Sequence, residues 1–135
     1  MSQLIILPDK EYGIRLGNIQ RALSAQHIDA ALITDNANKY YITGRVFSGS
    51  AYIPAEGMPI FFVRRPVGLE GDGVIYVRKP EEMAASIGLN MPHVIGLEFD
   101  VTPYSTVERL KKIFSSSDMA NVSKIMSQIR SVKTD

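Results

Sequence analysis

The stretch IDAALIT at residues 28–34 decides the fold class. Its centre, Ala30 to Ile33, is an uninterrupted apolar run of strand length, which is typical of a strand buried on both faces of a sheet. A helix is predicted just before it, from Pro8 to Gln26, because apolar residues recur there at helical spacing. These residues are Tyr12, Leu16, Ile19 and Leu23. A helix leading directly into a buried strand indicates an α/β domain.

The sequence after this strand predicts the remaining elements. Asp35 to Asn38 is a turn-and-cap cluster, and residues 39–43 form one or two helical turns that Gly44 ends. Further strands are predicted at 51–54, 59–64, 74–77, 93–99 and 120–122, the first two forming a hairpin through Glu56 to Met58. Further helices are predicted from Pro80, after Thr102-Pro103 and around Ile125 and Ile129, while Gly68 to Gly73 is predicted to be a flexible surface loop. We therefore predict one three-layer α/β domain over residues 1–135, with a mixed sheet of five or six strands flanked by helices.

Composition limits the possible functions. Fifteen basic and fourteen acidic side chains give a net charge of +1, which is far from the basic balance that nucleic-acid binding requires. The chain has no cysteine, which excludes a disulfide framework or a thiolate nucleophile. Neither a signal peptide nor a membrane span is recognisable. We expect a cytoplasmic protein with no nucleic-acid or membrane partner.

No catalytic or metal-binding constellation is recognisable. The two histidines, His27 and His93, each lie beside a predicted strand without further ligands at suitable spacing, so structural roles are expected. The glycines of residues 44–50 lack the lysine of a phosphate loop, and those of residues 68–73 precede a strand rather than a helix. The sequence predicts no catalytic residue and no metal ligand in this chain.

Two polar or aromatic pairs remain as candidates. Arg64 and Arg65 end an apolar strand, where they are either solvated or face a subunit interface or a substrate. Of Tyr40 and Tyr41, one ring is expected in the core and one on the surface.

The order of these elements resembles the opening of the creatinase/aminopeptidase P/prolidase family. The matching features are Arg15-Leu16 in a helix, the entry Ile28-Asp29-Ala30 to the first strand, Asn38, and the motif Tyr41-Ile42-Thr43-Gly44. Looser matches are Gly57-x-Pro59 and residues 95–98. Residues 129–134 are similar to the segment that leads into the catalytic domain in that family.

The resemblance implies a non-catalytic N-terminal domain of an Xaa-Pro dipeptidase or aminopeptidase. A catalytic pita-bread domain with two divalent metal ions, Mn or Co, would follow residue 135. This N-terminal domain would contact the catalytic domain and a second subunit. It would also border the active site of the neighbouring subunit and so limit the length of peptide substrates. By the resemblance Asn38 and Tyr41 match motif positions, and the loop with Arg45, Val46 and Phe47 would approach substrate, although Arg45 replaces the commoner phenylalanine. Alternatively, Phe47 closes the end of the sheet and Arg45 is solvated.

Two other functional classes remain open. The same two-domain architecture occurs in non-peptidase relatives that bind proteins, which would make this chain a protein-binding module. A free-standing small α/β enzyme is the third hypothesis. Metal ligands in the downstream sequence would select the peptidase, and their absence would select the binding module.

Overall fold

The computed structural model describes residues 2–131, which form two sheets and five α-helices. The strands are β1 Ser2–Gln3, β2 Ala30–Ile33, β3 Ser48–Pro54, β4 Ile60–Arg65, β5 Leu69–Glu70, β6 Val74–Tyr76, β7 Val94–Leu97 and β8 Asp118–Asn121. The helices are α1 Asp9–Ala25, α2 Asn36–Thr43, α3 Met83–Ile87, α4 Tyr104–Ile113 and α5 Ser123–Ser131, and a 3₁₀ turn at Pro80–Glu82 precedes α3. The predicted α/β class is confirmed.

The main sheet has six strands in the order β6-β4-β3-β2-β7-β8. β3 is antiparallel to both β2 and β4, whereas the pairs β4 with β6, β2 with β7, and β7 with β8 are parallel. Five strands therefore run in one direction, and their carboxyl ends lie along a single edge of the sheet. We call this the carboxyl edge.

The predicted buried strand is confirmed, because β2 occupies an interior position and all four of its residues are buried. Alternation along β2 divides the core into two clusters. Ala31 and Ile33 pack on the first face with α1, α2 and α5, whereas Ala30 and Leu32 pack on the second face with α3 and α4. The sheet is thus the middle layer of three, as predicted.

The segment predicted as a flexible loop, Gly68 to Gly73, is partly ordered as a strand. β5 pairs in parallel with β1, and the Leu4 amide donates to the Glu70 carbonyl at 2.8 Å. Leu4 and Leu69 are buried in the first cluster. Two-residue strands are too short to show a period, so this pairing could not be predicted from the pattern of apolar residues.

Some strand boundaries differ from the predicted ones. β3 begins at Ser48, three residues before the predicted start, and a register shift between Ser48 and Gly49 marks a bulge. Gly49 has φ +137°, and a Cβ atom there would lie 1.9 Å from the Phe62 carbonyl oxygen. The bulge therefore depends on glycine, and a pattern of alternation cannot continue across it.

The last segment of the chain is only partly described. Ile129 to Ser131 close helix α5, while residues 132–134, which the resemblance assigned to the approach to a second domain, lie outside the described residues. Over residues 2–131 no helix combines the length and apolar character needed to cross a membrane.

The core tyrosine of β3 predicts how stability depends on pH. Burial of Tyr52, and to a smaller degree repulsion by Asp29, raise the pKa of its phenol to about 12. Since the unfolded chain loses this proton near pH 10, the stability that the buried neutral phenol contributes is complete below about pH 10 and is lost as the pH rises towards about 12.

Tyr52→Phe should therefore remove part of the alkaline destabilisation. The free energy of unfolding should fall between about pH 8 and about pH 11. We expect this fall to be about 1 kcal/mol smaller in the variant than in the wild type. Urea titrations at both pH values measure the difference. The same alkaline loss in both proteins would show that this phenol titrates normally.

Candidate functional site

The carboxyl edge collects most of the residues that the sequence singled out. Asn38 lies in α2, which follows β2, Phe47 precedes β3, and Arg64 and Arg65 end β4. An open cleft of about 610 Å³ lies at this edge. Its lining residues are Asn36, Lys39, Val46, Phe47, Ser48, Gly49, Arg65 and Pro66. We call this the first cleft, and it is the candidate site.

A buried carboxyl group at the carboxyl edge accepts hydrogen bonds from several residues. Glu98, directly after β7, is 1% exposed. Its Oε1 atom accepts hydrogen bonds from the Thr34 amide at 2.6 Å, the Thr34 hydroxyl at 3.1 Å and the Asp35 amide at 3.0 Å, and its Oε2 atom accepts one from the Asn38 amide group. Glu98 therefore fixes the turn that joins β2 to α2.

The network continues from α2 to α5. The Oδ1 atom of Asn38 accepts a hydrogen bond from Arg130 Nη1 at 2.7 Å, and the same Nη1 atom lies 3.5 Å from Asp35 Oδ2. Asn38 thus joins Glu98 to the last described helix with both ends of its amide. This predicted site residue has a positioning role within the chain.

A second buried polar side chain borders the first cleft. Lys39 Nζ donates to the Phe47 carbonyl at 2.5 Å and the Gly49 carbonyl at 3.1 Å, and it lies 5.0 Å from the centre of the Phe47 ring. Burial lowers the pKa of this amine, and the nearby Glu98 and Asp35 carboxyl groups partly oppose that effect. Lys39 holds the connection between α2 and β3 against the core.

The residues of that connection differ in exposure. Phe47 is 2% exposed and belongs to the first cluster, so its ring closes the end of the sheet. Arg45 is partly exposed and donates to the Gln3 carbonyl at 2.9 Å and the Leu4 carbonyl at 3.3 Å. Only Val46, at 51% exposure, has a largely free side chain there.

The tyrosine of the motif faces α1. The Arg15 guanidinium lies 4.8 Å above the ring of Tyr41 and donates to its backbone carbonyl at 2.8 Å. Tyr40 is exposed, whereas Tyr41 packs partly against the first cluster. The expected division between a surface ring and an inner ring is observed.

The paired arginines serve opposite faces of the sheet. Both are exposed, but alternation along β4 places Arg64 on the side of Phe62 and Arg65 on the side of Val63. Arg65 consequently lines the first cleft. Arg64 lines another cleft, next to Met83, which meets the first cleft at Ser48 and Gly49.

The histidines are both exposed, and His27 has φ +58° in the turn after α1. Within residues 2–131 no three side chains of the metal-binding types are grouped as a metal site.

Sequence reasoning missed Glu98 and Lys39 as parts of the edge. The one signal available for Glu98 was its position, because a charged residue that directly follows a buried strand is a candidate for a role at the strand's end. Its partner Asn38 lies 60 residues earlier, a distance that no local pattern spans.

Comparisons with known proteins give a consistent result. The family model described as the creatinase/prolidase N-terminal domain matches residues 15–132. Comparison with curated proteins gives no match.

Three solved structures show the similarity of fold. The N-terminal domain of the cytoplasmic peptidase PepQ from Mycobacterium tuberculosis has a TM-score of 0.72 and 16% identity, over 87% of this chain and 98% of that one. The Xaa-Pro dipeptidase from Bacillus anthracis has a TM-score of 0.75 and 18% identity, over 92% of this chain and 37% of that one. The prolidase from Pyrococcus horikoshii has a TM-score of 0.70 and 22% identity, over 90% and 36%.

Proposed function

We propose, from the premise that this chain belongs to the creatinase/prolidase N-terminal domain family, that it is the accessory domain of an Xaa-Pro peptidase. In this proposal catalysis takes place in a second domain after residue 135, which would hold two divalent metal ions, Mn or Co. The present domain would contact that catalytic domain and a second subunit, and its carboxyl edge would border the entry of peptide substrates. The parent enzyme would act in the cytoplasm.

The relative lengths of similar proteins support a two-domain parent. The chain corresponds to 98% of several solved N-terminal or family domains but to only 36–37% of the Pyrococcus and Bacillus proteins. Those two proteins are a prolidase and an Xaa-Pro dipeptidase, so in them a domain of this fold is part of a longer chain.

One observation supports the proposal that the carboxyl edge contacts another protein surface. Val46, which lines the first cleft, is 51% exposed, and Val67, which follows the lining residue Pro66, is 85% exposed. Arg65 supplies a positive charge to the same cleft. Contiguous exposed apolar surface is characteristic of sites where another protein binds, and we infer that Val46 and Val67 contribute to such a surface. The network from Glu98 through Asn38 to Arg130 connects this edge to the last described helix. A following domain would therefore be oriented relative to the cleft.

Kinetics of the full-length parent would test this role. Arg65→Ala and Val46→Asp should each raise KM for an Xaa-Pro peptide about tenfold. Their melting temperatures should stay near that of the wild type, because both side chains are exposed. Size-exclusion chromatography would report any loss of the oligomer.

The matched control is Arg21→Ala, an exposed α1 arginine whose side chain, among residues 2–131, forms a hydrogen bond only with Asn18. It should leave KM unchanged. Wild-type kinetics and assembly in both edge variants would refute the proposed surface. A parent that turns over no Xaa-Pro peptide, while the edge variants still lose binding to a protein, would favour the binding-module alternative.

A further inference from the structure

A second cleft lies on the other face of the carboxyl edge. It has a volume of about 360 Å³ and is bounded by the ends of β4 and β6 and by helices α3 and α4. Arg64 lines this cleft rather than the first one, because it points to the same side of β4 as Phe62. We call it the second cleft.

The lining of the second cleft is strongly cationic. Arg64, Arg78 and Lys79 border it, and no aspartate or glutamate is among its lining residues. The side chains of Arg64 and Arg78 form no ion pair or hydrogen bond within residues 2–131. Lys79 lies near Glu81, but that carboxylate is already bound to Arg109 at 2.6 Å. Two guanidinium groups are therefore available for an anion, with geometry suited to a carboxylate or phosphate.

The interior of the second cleft is apolar. Leu32, Met83 and Leu110 of the second cluster lie at its floor, each at most 3% exposed, and the partly exposed Val77 borders them. Inorganic phosphate would contact the cationic rim but would leave this floor uncovered. A ligand that uses the whole cleft carries an anionic group at one end and an apolar group next to it.

Two hydroxyl groups complete the rim. Ser48 and Thr106 line the cleft and make no side-chain hydrogen bond within the described part of the chain. They can donate to an anion or accept from a peptide amide. A mixture of cations, free hydroxyl groups and an apolar floor fits the end of a peptide better than it fits a bare ion.

We propose that the second cleft binds the free C-terminal carboxylate of a short peptide whose last side chain is apolar. Arg64 and Arg78 bind the carboxylate, and the last side chain lies against Val77 and the floor residues Leu32 and Met83. The volume of about 360 Å³ is enough for one or two residues. The second cleft meets the first at Ser48 and Gly49, which line both, but the proposed site does not depend on the proposed role of the first cleft at the active site of a parent enzyme.

Titrations of the chain followed by NMR would test the proposal. The probes are the peptide N-acetyl-Ala-Pro-Leu with a free carboxylate, its C-terminal amide, the same peptide acid ending in serine, and inorganic phosphate. We expect the leucine acid to bind about tenfold more tightly than each of the other three, because only it offers both groups. Shifted amide signals should include those of Val77, Met83 and Thr106, and the affinity should fall with added salt.

Charge removal gives the decisive comparison. The double variant Arg64→Gln/Arg78→Gln should lose at least about tenfold in affinity for the leucine acid while it stays folded. Its matched control is Lys10→Gln/Lys124→Gln, which removes two exposed charges from α1 and α5 on the first face, and it should bind within about twofold of the wild type.

Three results would overturn the proposal. The first is no binding of the leucine acid at about 10 mM, well above the range of useful peptide affinity. The second is equal binding of acid and amide, or of acid and phosphate. The third is an equal loss of affinity in the two double variants, which would indicate a general effect of net charge.

Discussion

Replacing Glu98 with alanine is expected to lower the free energy of unfolding by about 3–5 kcal/mol. The change removes the acceptor of four hydrogen bonds in a fully buried position. It leaves the amides of Thr34 and Asp35 and the side-chain amide of Asn38 without partners, and each unsatisfied donor costs about 1–3 kcal/mol. Urea denaturation of the 135-residue chain measures the loss.

Glu98→Gln separates hydrogen bonding from packing. Glutamine retains the shape and one acceptor atom, but its amide group would meet the Asn38 amide group, donor against donor. Turning Asn38 over would only move the conflict to Arg130, which donates to the other atom of the same amide. We expect a loss of about 1–3 kcal/mol for this variant.

Glu56→Ala is the matched control for both Glu98 variants. This glutamate is exposed in the hairpin turn and is not in the network, so its loss should stay within about 0.5 kcal/mol. A Glu98→Ala loss below about 1 kcal/mol would show that the network does not hold the turn between β2 and α2.

The fold was largely predictable because its long elements carry periodic apolar residues. The α1 stripe and the run from Ala30 to Ile33 were placed to within one residue. The bulge at Gly49 and the two-residue strands β1 and β5 were not, because such features depend on pairing between distant segments. Pattern alone shows which face of an element is apolar, but not which strand lies beside it.

The candidate site was predictable only in part. The resemblance selected segments that the fold does bring to one edge of the sheet, including Asn38, Phe47 and Arg65. The division of Arg64 and Arg65 between two faces follows from alternation and could have been predicted. The contact of Asn38 with Glu98 could not, because it joins residues 60 positions apart across a parallel strand pair.

Replacing Phe47 and replacing Arg45 should affect stability differently, because Phe47 is buried and Arg45 is partly exposed. Both residues lie in the loop that was predicted to approach substrate. Phe47→Ala should lower the free energy of unfolding by about 3–5 kcal/mol, because it opens a cavity in the first cluster and removes the ring beside Lys39. Phe47→Leu should recover most of that loss by keeping apolar volume. Arg45→Ala should cost about 1 kcal/mol or less, since a partly exposed side chain loses its hydrogen bonds to two carbonyl groups.

This difference determines which variant reports on recognition in a full-length parent. If the loop approaches substrate through its exposed side chains, Arg45→Ala should raise KM without a matching fall in melting temperature. Phe47→Ala should lose activity only in proportion to the folded protein that remains. Thermal denaturation and steady-state kinetics on the same samples measure both quantities. A Phe47→Ala variant that folds with wild-type stability but loses turnover would contradict the buried role of this ring. Its side chain would then belong to the substrate path rather than to the core.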